Sequence, residues 1–589
     1  MNREWQRELL IILAVSLPFI FWGIGSISLL DPDEGMYGAI AREMVEKGDW
    51  ITPHFNGVRY LEKPPLYFWL TGITFALFGP SECAARLWSA LPTLGTTILT
   101  WQIGRLLYGG QTGLLSAIIF VTSIGVFRYA RVAATDSLLV FSLTLSLYGF
   151  VRAMLDQTPG GGRISSGSLL FYLGLALGVL SKGLIGALLP LFIAGFYLWF
   201  SGERITARQM HLKWGLLLFL VLTLPWHLLA AWKNPGFLQF YFVDNQFLRF
   251  LSDRAFIEDD VPVSSVAFLG LTLVWFFPWS LFLWGTWRHG FPNARSVHTP
   301  EERLHLLVGL WALTVIGFFF FSPSRLEHYI LPALPPLSLV VGASWSEAFR
   351  AAKPLAGLKW PLVASALGCF LVGVALILLS RHLTSEAVFT WLAEMNVYYR
   401  ILKEQGASFP YASVSPFVPL VWGVGIVLLI GLPFSLLLFC LGRLRASFVV
   451  VAGVATIIAV LVFRLLLVIE PHHSAKAVAL ALLSRAQAGD PIIHEGSLEY
   501  SGSIPFYTGR QIYVLNGQRG DLDFGSHYPE SKGLFLDDDG FARRWKSDRR
   551  VFLVTRVQEG NSVLKRLSLG KVFFLGRYGS RSLYSNYGS

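Results

Sequence analysis

The 589 residues are 54% hydrophobic and only 14% charged, with a mean hydropathy of +0.54, a balance that excludes an ordinary soluble domain. The net charge is +11, but the basic residues fall in short loops between apolar runs: Arg152 and Arg163, Arg204, Arg208 and Lys213, Arg288 and Arg295, Arg350, Lys353 and Lys359, Arg443 and Arg445. That placement is a positive-inside bias and argues against nucleic acid as the partner of this charge. Cys83, Cys369 and Cys440 are widely spaced and lie in or beside apolar runs, which excludes a disulfide framework or a paired-cysteine metal knuckle.

Taken in order, apolar runs at 9–30, 83–107, 112–129, 136–154, 168–180, 183–200, 214–232, 263–286, 305–321, 328–345, 361–379, 416–441 and 447–468 predict about thirteen transmembrane helices, at roughly 20 residues per crossing. The first run follows Arg3 and Arg7 but is too long for a signal-peptide core and lacks a small-residue cleavage pattern, so it reads as a retained span. Basic loops inside then place the N-terminus in the cytoplasm and the C-terminus outside it. Segments 31–65, 130–136, 181–183, 233–262, 322–327 and 380–415 all face outward, and the first and fourth are long. Residues 36–47 have amphipathic spacing and 65–79 form a short apolar stretch, which predicts two surface helices flanking the first outer loop. Residues 1–469 thus form a membrane domain with periplasmic loops 31–65 and 233–262. From 470 to 589 the sequence alternates helix-like and strand-like segments without a glycine-rich phosphate loop, predicting a periplasmic α/β domain and no nucleotide cofactor.

The first outer loop gathers Asp31, Asp33, Glu34, Glu62 and Lys63 beside apolar helices. Carboxylates at a membrane boundary are costly and often functional, although Asp33 and Glu34 equally suit a helix start. Asp136 opens the fourth span on the same side. Lys63 stands before Pro64-Pro65, a stiff pair that would hold its ammonium at the head of a surface helix. A fixed cation there suits a lipid phosphate; ordinary snorkelling is the alternative, and for Lys182 taken alone it is the better reading. Asp31, before Pro32, reads as a loop residue ending the first span.

Asp33-Glu34, Tyr37, Arg42-Glu43-Met44, Glu62-Lys63-Pro64-Pro65, Ala84 and Arg86, Asp136, Ser181-Lys182-Gly183 and the run from Tyr329 to Pro335 together resemble the family of aminoarabinose transferases and protein O-mannosyltransferase relatives. The resemblance covers the membrane part and is strongest over 31–183. It implies a mainly α polytopic membrane protein of the GT-C fold that moves a sugar from a polyprenyl-phosphate donor, such as undecaprenyl phosphate, to a lipid A-type glycolipid, another glycan or a protein. It implies Asp33 as the catalytic aspartate, Glu34 as a catalytic residue beside it and Asp136 as a second essential acid. Lys63 and Arg249 would then contact the carrier phosphate, and Tyr37, Lys182 and Tyr329 would line the substrate site. Glu62 matches a metal-associated glutamate, and with it a divalent metal. Where those enzymes carry histidines shortly before the arginine, this chain reads Asp244-Asn245-Gln246, so the metal and the identity of the sugar stay open. A transporter or flippase of lipid-linked sugars would also use cations at a membrane, but near the midplane of broken spans.

Overall fold

The structure is a computed structural model and describes residues 3–156, 165–203, 209–248, 263–291, 300–323, 325–395, 397–404, 408–557 and 560–588. Arg249 and the remainder of the 233–262 loop lie outside the described residues. In chain order the first ten helices are α1 (Arg3–Phe21), α2 (Asp33–Lys47), α3 (Leu66–Phe78), α4 (Glu82–Tyr108), α5 (Gly110–Thr122), α6 (Ile124–Tyr129), α7 (Asp136–Leu155), α8 (Ser166–Lys182), α9 (Ile185–Ser201) and α10 (Leu212–Lys233). A short hairpin of β1 (His54–Phe55) and β2 (Val58–Arg59) interrupts the first outer loop. Its turn is Asn56-Gly57, both at positive φ, the pairing that matches the twist of a two-residue hairpin.

Among the described residues, seven helices are long and apolar enough to cross a membrane, or eight if the pair Ser265–Trp275 and Trp279–His289, bent by 104°, counts as one span. The protein is a multi-pass membrane protein; by length and apolarity alone the described residues give fewer spans than the expected thirteen, for identifiable reasons. The run at 9–30 stops being helical at Phe21, and Gly23 turns the chain at φ +72°. The run at 112–129 breaks at Ser123 into α5 and α6. Helices α8 and α9 have 17 residues each, at the lower limit of the roughly 17–25 that span a hydrocarbon core. Helix α4 is long but turns Thr93, Thr96, Thr97 and Thr100 into the bundle, which lowers its hydropathy. Exposed apolar side chains, such as Leu367, Phe370 and Leu371 on Ala356–Ser380, face outward as lipid-facing surfaces do. Small residues bring helices into contact: a Cβ on Gly149 of α7 would lie 2.3 Å from the Phe171 amide of α8, the close approach that substitutes for hydrophobic drive in lipid.

After the long helix Leu444–His473 the chain enters a six-stranded sheet ordered β5-β4-β3-β6-β8-β7. Strands β3 (Ile492–Glu495), β4 (Tyr513–Leu515), β5 (Phe535–Leu536) and β6 (Phe552–Thr555) run parallel; β7 (Phe573–Tyr578) and β8 (Arg581–Ser585) form an antiparallel hairpin on β6. The all-buried β3 and β6 are what a parallel sheet covered on both faces requires. This sheet packs over the first outer loop. Asn56 exchanges two hydrogen bonds with Ile512, its Nδ2 donating at 2.8 Å and its Oδ1 accepting at 2.7 Å, and Lys476 pairs with Glu82 at 2.6 Å.

Candidate active site

A cleft opens among the ends of several helices of the bundle, lined by residues between Glu62 and Pro332. Each polar residue in it is delivered by a helix end. Pro64-Pro65 start α3 directly behind Glu62 and Lys63. Asp136 is the first residue of α7, where the helix dipole favours a carboxylate. Lys182 is the last residue of α8, where a cation is favoured, and Gly183 ends that helix at φ +82°. A side chain at Gly183 would collide with Gln246, which instead approaches closely and accepts from the Leu184 amide at 3.1 Å. Gln246 and Asn245 come from a wide helical run, Gln239–Leu248, and Asn245 Nδ2 donates to the Glu62 carbonyl at 2.7 Å. His328 and Tyr329 enter from the turn Glu327–Ala333.

Within the cleft, Lys63 Nζ donates to Glu62 Oε1 at 2.5 Å. Lys182 is ion-paired to Asp136 and sits 4.7 Å over the Tyr329 ring; His328 Nε2 lies 3.5 Å from Asp136 Oδ1. Leu139, Val140, Ile185, Phe319, Leu331 and Pro332 complete the lining. Two lysines, an imidazole and two carboxylates therefore share one cleft with apolar walls, the composition that a phosphate on a hydrocarbon tail needs.

The structure thus brings together Glu62, Lys63, Asp136, Lys182 and Tyr329, which are separated by up to 267 positions in sequence. Lys182, read alone as a snorkelling residue, is turned into the cleft and paired. Asp33 and Tyr37 are not in its described lining. Asp33 heads α2, and Tyr37 is buried among Tyr60, Tyr67 and Phe68.

Two expectations are corrected. Glu34, expected beside the catalytic aspartate, is 3% exposed and is held bidentately by Arg86 at 2.7 and 2.8 Å, while the amides of Leu30 and Ala133 donate to it at 3.0 and 2.7 Å. Burial alone would raise its pKa; the Arg86 charge and these bonds outweigh that and hold it below the usual carboxylate range. With both oxygens committed, Glu34 ties the start of α2 to α4. Asp31, expected as a plain loop residue, is buried against the C-terminal sheet, its carboxylate paired with Arg581 at 2.7 Å. Here burial prevails over Arg581 and pushes its pKa up to about 6.

Among the described residues, those around Glu62 do not make a metal cage. Its Oε1 takes the Lys63 ammonium, its neighbours Asn245 and Gln246 offer amides, and among the described residues no three His, Cys, Asp or Glu side chains converge. A site for a divalent transition metal wants more imidazole, thiolate or carboxylate than this. Sequence reasoning missed His328. The signal was present as a Glu327-His328 pair at the mouth of an apolar span, where ionisable residues are functional candidates by default.

A helical bundle with a polar cleft among its helix ends and a small C-terminal sheet packed over the first outer loop is the architecture of the GT-C fold. ArnT from Cupriavidus metallidurans, in a crystal structure bound to undecaprenyl phosphate, shares it with a TM-score of 0.79 at 24% identity, covering 99% of this chain and 98% of that one. The family described as dolichyl-phosphate-mannose-protein mannosyltransferase matches residues 21–241. An undecaprenyl phosphate-alpha-4-amino-4-deoxy-L-arabinose arabinosyl transferase of Pseudomonas fluorescens is 30% identical over 357 residues, which are 59% of this chain and 61% of that one. An uncharacterized protein of Aquifex aeolicus is 30% identical over 57% of this chain and 73% of its own length. The chain is thus similar to the family of aminoarabinose transferases and protein O-mannosyltransferases, and it spans 61% of the length of the first arabinosyl transferase it matches.

Proposed function

We propose that the protein is an integral membrane glycosyltransferase that moves a sugar from a polyprenyl-phosphate donor to an acceptor at the periplasmic face of a bacterial inner membrane, a lipid A-type glycolipid, another glycan or a protein. The observation that carries this reading is the cleft itself: paired cations and acids at one end of a membrane bundle, walled by apolar side chains. The relatives support it, since one is named as using undecaprenyl phosphate and a fold neighbour binds that lipid. Positive-inside bias supports the outward placement of this end and a cytoplasmic N-terminus.

In this mechanism the carrier phosphate rests against Lys63, joined by Arg249, with the prenyl chain along the apolar wall. The acceptor oxygen attacks the anomeric carbon from the side opposite the phosphate. As that C–O bond forms, the bond to the phosphate oxygen breaks and polyprenyl phosphate leaves with the electron pair, so the anomeric configuration inverts. Fixed ammonium groups offset the charge developing on the phosphate, and because they are already in place they need no reorganisation. Asp33, at the head of α2 and outside the described lining of the cleft, takes by family resemblance alone the role of accepting the proton of an acceptor hydroxyl or orienting an acceptor phosphate that is already ionised. Asp136, held by Lys182 and His328, binds hydroxyls of the sugar. The first loop, over which the sheet packs, and the Gln239–Leu248 run keep out the water that would hydrolyse the donor. Every step uses side chains of this chain.

The test is reconstitution in vesicles with undecaprenyl-phosphate-linked sugars and extracted glycolipids. Loss of sugar from the donor with a matching mass increment on an acceptor is the expected result. Donor carried across the bilayer with its sugar still attached would overturn the reading in favour of a flippase.

A further inference from the structure

We infer that Arg581 of the C-terminal sheet and Asp31 of the first outer loop act as positioning residues that set the first turn of α2, and with it Asp33, so that the sheet is a working part of the site and not an appended module. The inference rests on the role proposed for Asp33 above. Asp31 and Arg581 stand 550 positions apart, yet their side chains are 2% and 0% exposed in the fold. Asp31 accepts from the Ser503 amide at 2.7 Å, from Ser503 Oγ at 2.9 Å and from Arg581 Nη2 at 2.7 Å. Its own amide donates to the His473 carbonyl at 2.8 Å, at the end of the last span.

Arg581 is fixed in turn. Its guanidinium donates to the carbonyls of Tyr500 at 2.7 Å and Ser474 at 2.9 Å, and to Ser501 Oγ at 3.0 Å, which also bonds His494 Nε2 at 3.0 Å. A buried guanidinium spending its planar fork on several fixed acceptors is a rigid reference point, which an exposed ion pair is not.

Only Pro32 separates Asp31 from the first residue of α2. Gly35, in that turn, is pressed so close that an added Cβ would lie 2.3 Å from Asp31 Oδ1 and 2.4 Å from the Ser503 amide. On the other side the Glu34–Arg86 pair ties the same turn to α4. Asp33 therefore stands between two buried ion pairs, one anchored in the bundle and one in the sheet. A displacement of about 1 Å in a reacting group costs rate out of proportion to stability, so this is where the sheet would be felt in turnover.

The competing reading is that Asp31–Arg581 only holds the sheet down. Other contacts do that without touching the turn, namely Lys476–Glu82 and Asn56–Ile512, and they supply the control. In the full-length protein, Arg581→Lys keeps the charge and loses the fork; Lys476→Ala and Asn56→Ala weaken docking elsewhere. Each is assayed for transfer from undecaprenyl-phosphate-linked sugar, and the amide hydrogen exchange of residues 31–37 is measured on the folded fraction. Arg581→Lys is expected to lower kcat at least tenfold with KM nearly unchanged and to speed exchange in 31–37, while both controls keep kcat within about twofold. Should Arg581→Lys not fold, Ser503→Ala, which removes one bond to Asp31, is expected to move both readouts in the same direction by a smaller factor. Normal kcat despite faster exchange, unchanged exchange, or an equal kcat loss in the controls would each overturn the inference. A wild-type protein that transfers no sugar overturns the proposed function instead, and the clamp then stands or falls on exchange alone.

Discussion

Replacing Glu34 by alanine should unfold the protein before it affects chemistry. The substitution leaves Arg86, 2% exposed, as an uncompensated buried charge. Breaking such a pair from one side costs about 3–5 kcal/mol. It also removes the acceptor of the Ala133 and Leu30 amides, at about 1–3 kcal/mol for each that stays buried and unsatisfied. Against a typical stability of about 5–15 kcal/mol, the sum removes much of the margin. Glu34→Gln keeps the shape and one acceptor oxygen and should lose roughly half as much. Thermal melting in detergent with size-exclusion profiles measures this directly, and specific activity per folded molecule should fall only as far as the α2 turn that carries Asp33 loosens. The pH dependence has a definite sign. Because the folded pKa lies below the ordinary 4.5, this contribution is present above 4.5 and is lost as pH falls through the lower folded value. A Glu34→Ala protein that melts like wild type yet transfers no sugar would refute this reasoning and return Glu34 to the catalytic group.

Lys63→Ala should cut kcat about 10²–10³-fold, the range for losing a preorganised charge partner, and should also lower the melting temperature, because the buried Glu62 loses its ion-pair partner; full activity would reduce Lys63 to a headgroup contact. Asp31, with a folded pKa of about 6 against an ordinary 3.8, should contribute stability that is complete below 3.8 and is lost as pH rises through 6, about 3 kcal/mol in all; Asp31→Asn should abolish that part of the pH dependence of melting, and an unchanged profile counts against it. An alkaline phosphatase fusion at Ser589 should be active, whereas a fluorescent cytoplasmic reporter there would invert the orientation.

The helices were legible because their signal is local: apolar runs and flanking prolines predicted α4, α7, α10 and the late spans to within a few residues. The breaks were not. Gly23, Ser123 and the bend between Trp275 and Trp279 interrupt runs whose hydropathy continues through them, since the backbone groups they release are satisfied by tertiary neighbours. Legibility of the site followed the same division. Lys63 and Asp136 stood out as ionisable residues at predicted span ends. The opposite assignments of Asp31 and Glu34 depended on Arg581 and Arg86, which lie 550 and 52 positions away, and no local pattern encodes those pairings. His328 was hidden for a related reason: its neighbour Asp136 comes from a helix nearly two hundred residues earlier.

Lys182 poses the sharpest remaining question at the cleft, because its pairing with Asp136 permits two roles. It either only maintains the Asp136 carboxylate or also touches the donor. Single substitutions cannot separate these, since Lys182→Met harms Asp136 in both cases; a double-mutant cycle can. If Lys182 serves only Asp136, then once Asp136→Asn has removed the charge, adding Lys182→Met costs nothing further. If the ammonium also meets the carrier phosphate, a further loss appears in the Asp136→Asn background. The geometry favours the second outcome. Lys182 shares the cleft with Lys63, its side chain keeps 14% of its surface open to that space, and His328 remains beside Asp136 to hold it. The expected extra loss is about tenfold in kcat/KM, or about 1.4 kcal/mol of transition-state stabilisation. A double variant no worse than Asp136→Asn alone would make Lys182 a support for Asp136 and leave the donor phosphate to Lys63 and Arg249.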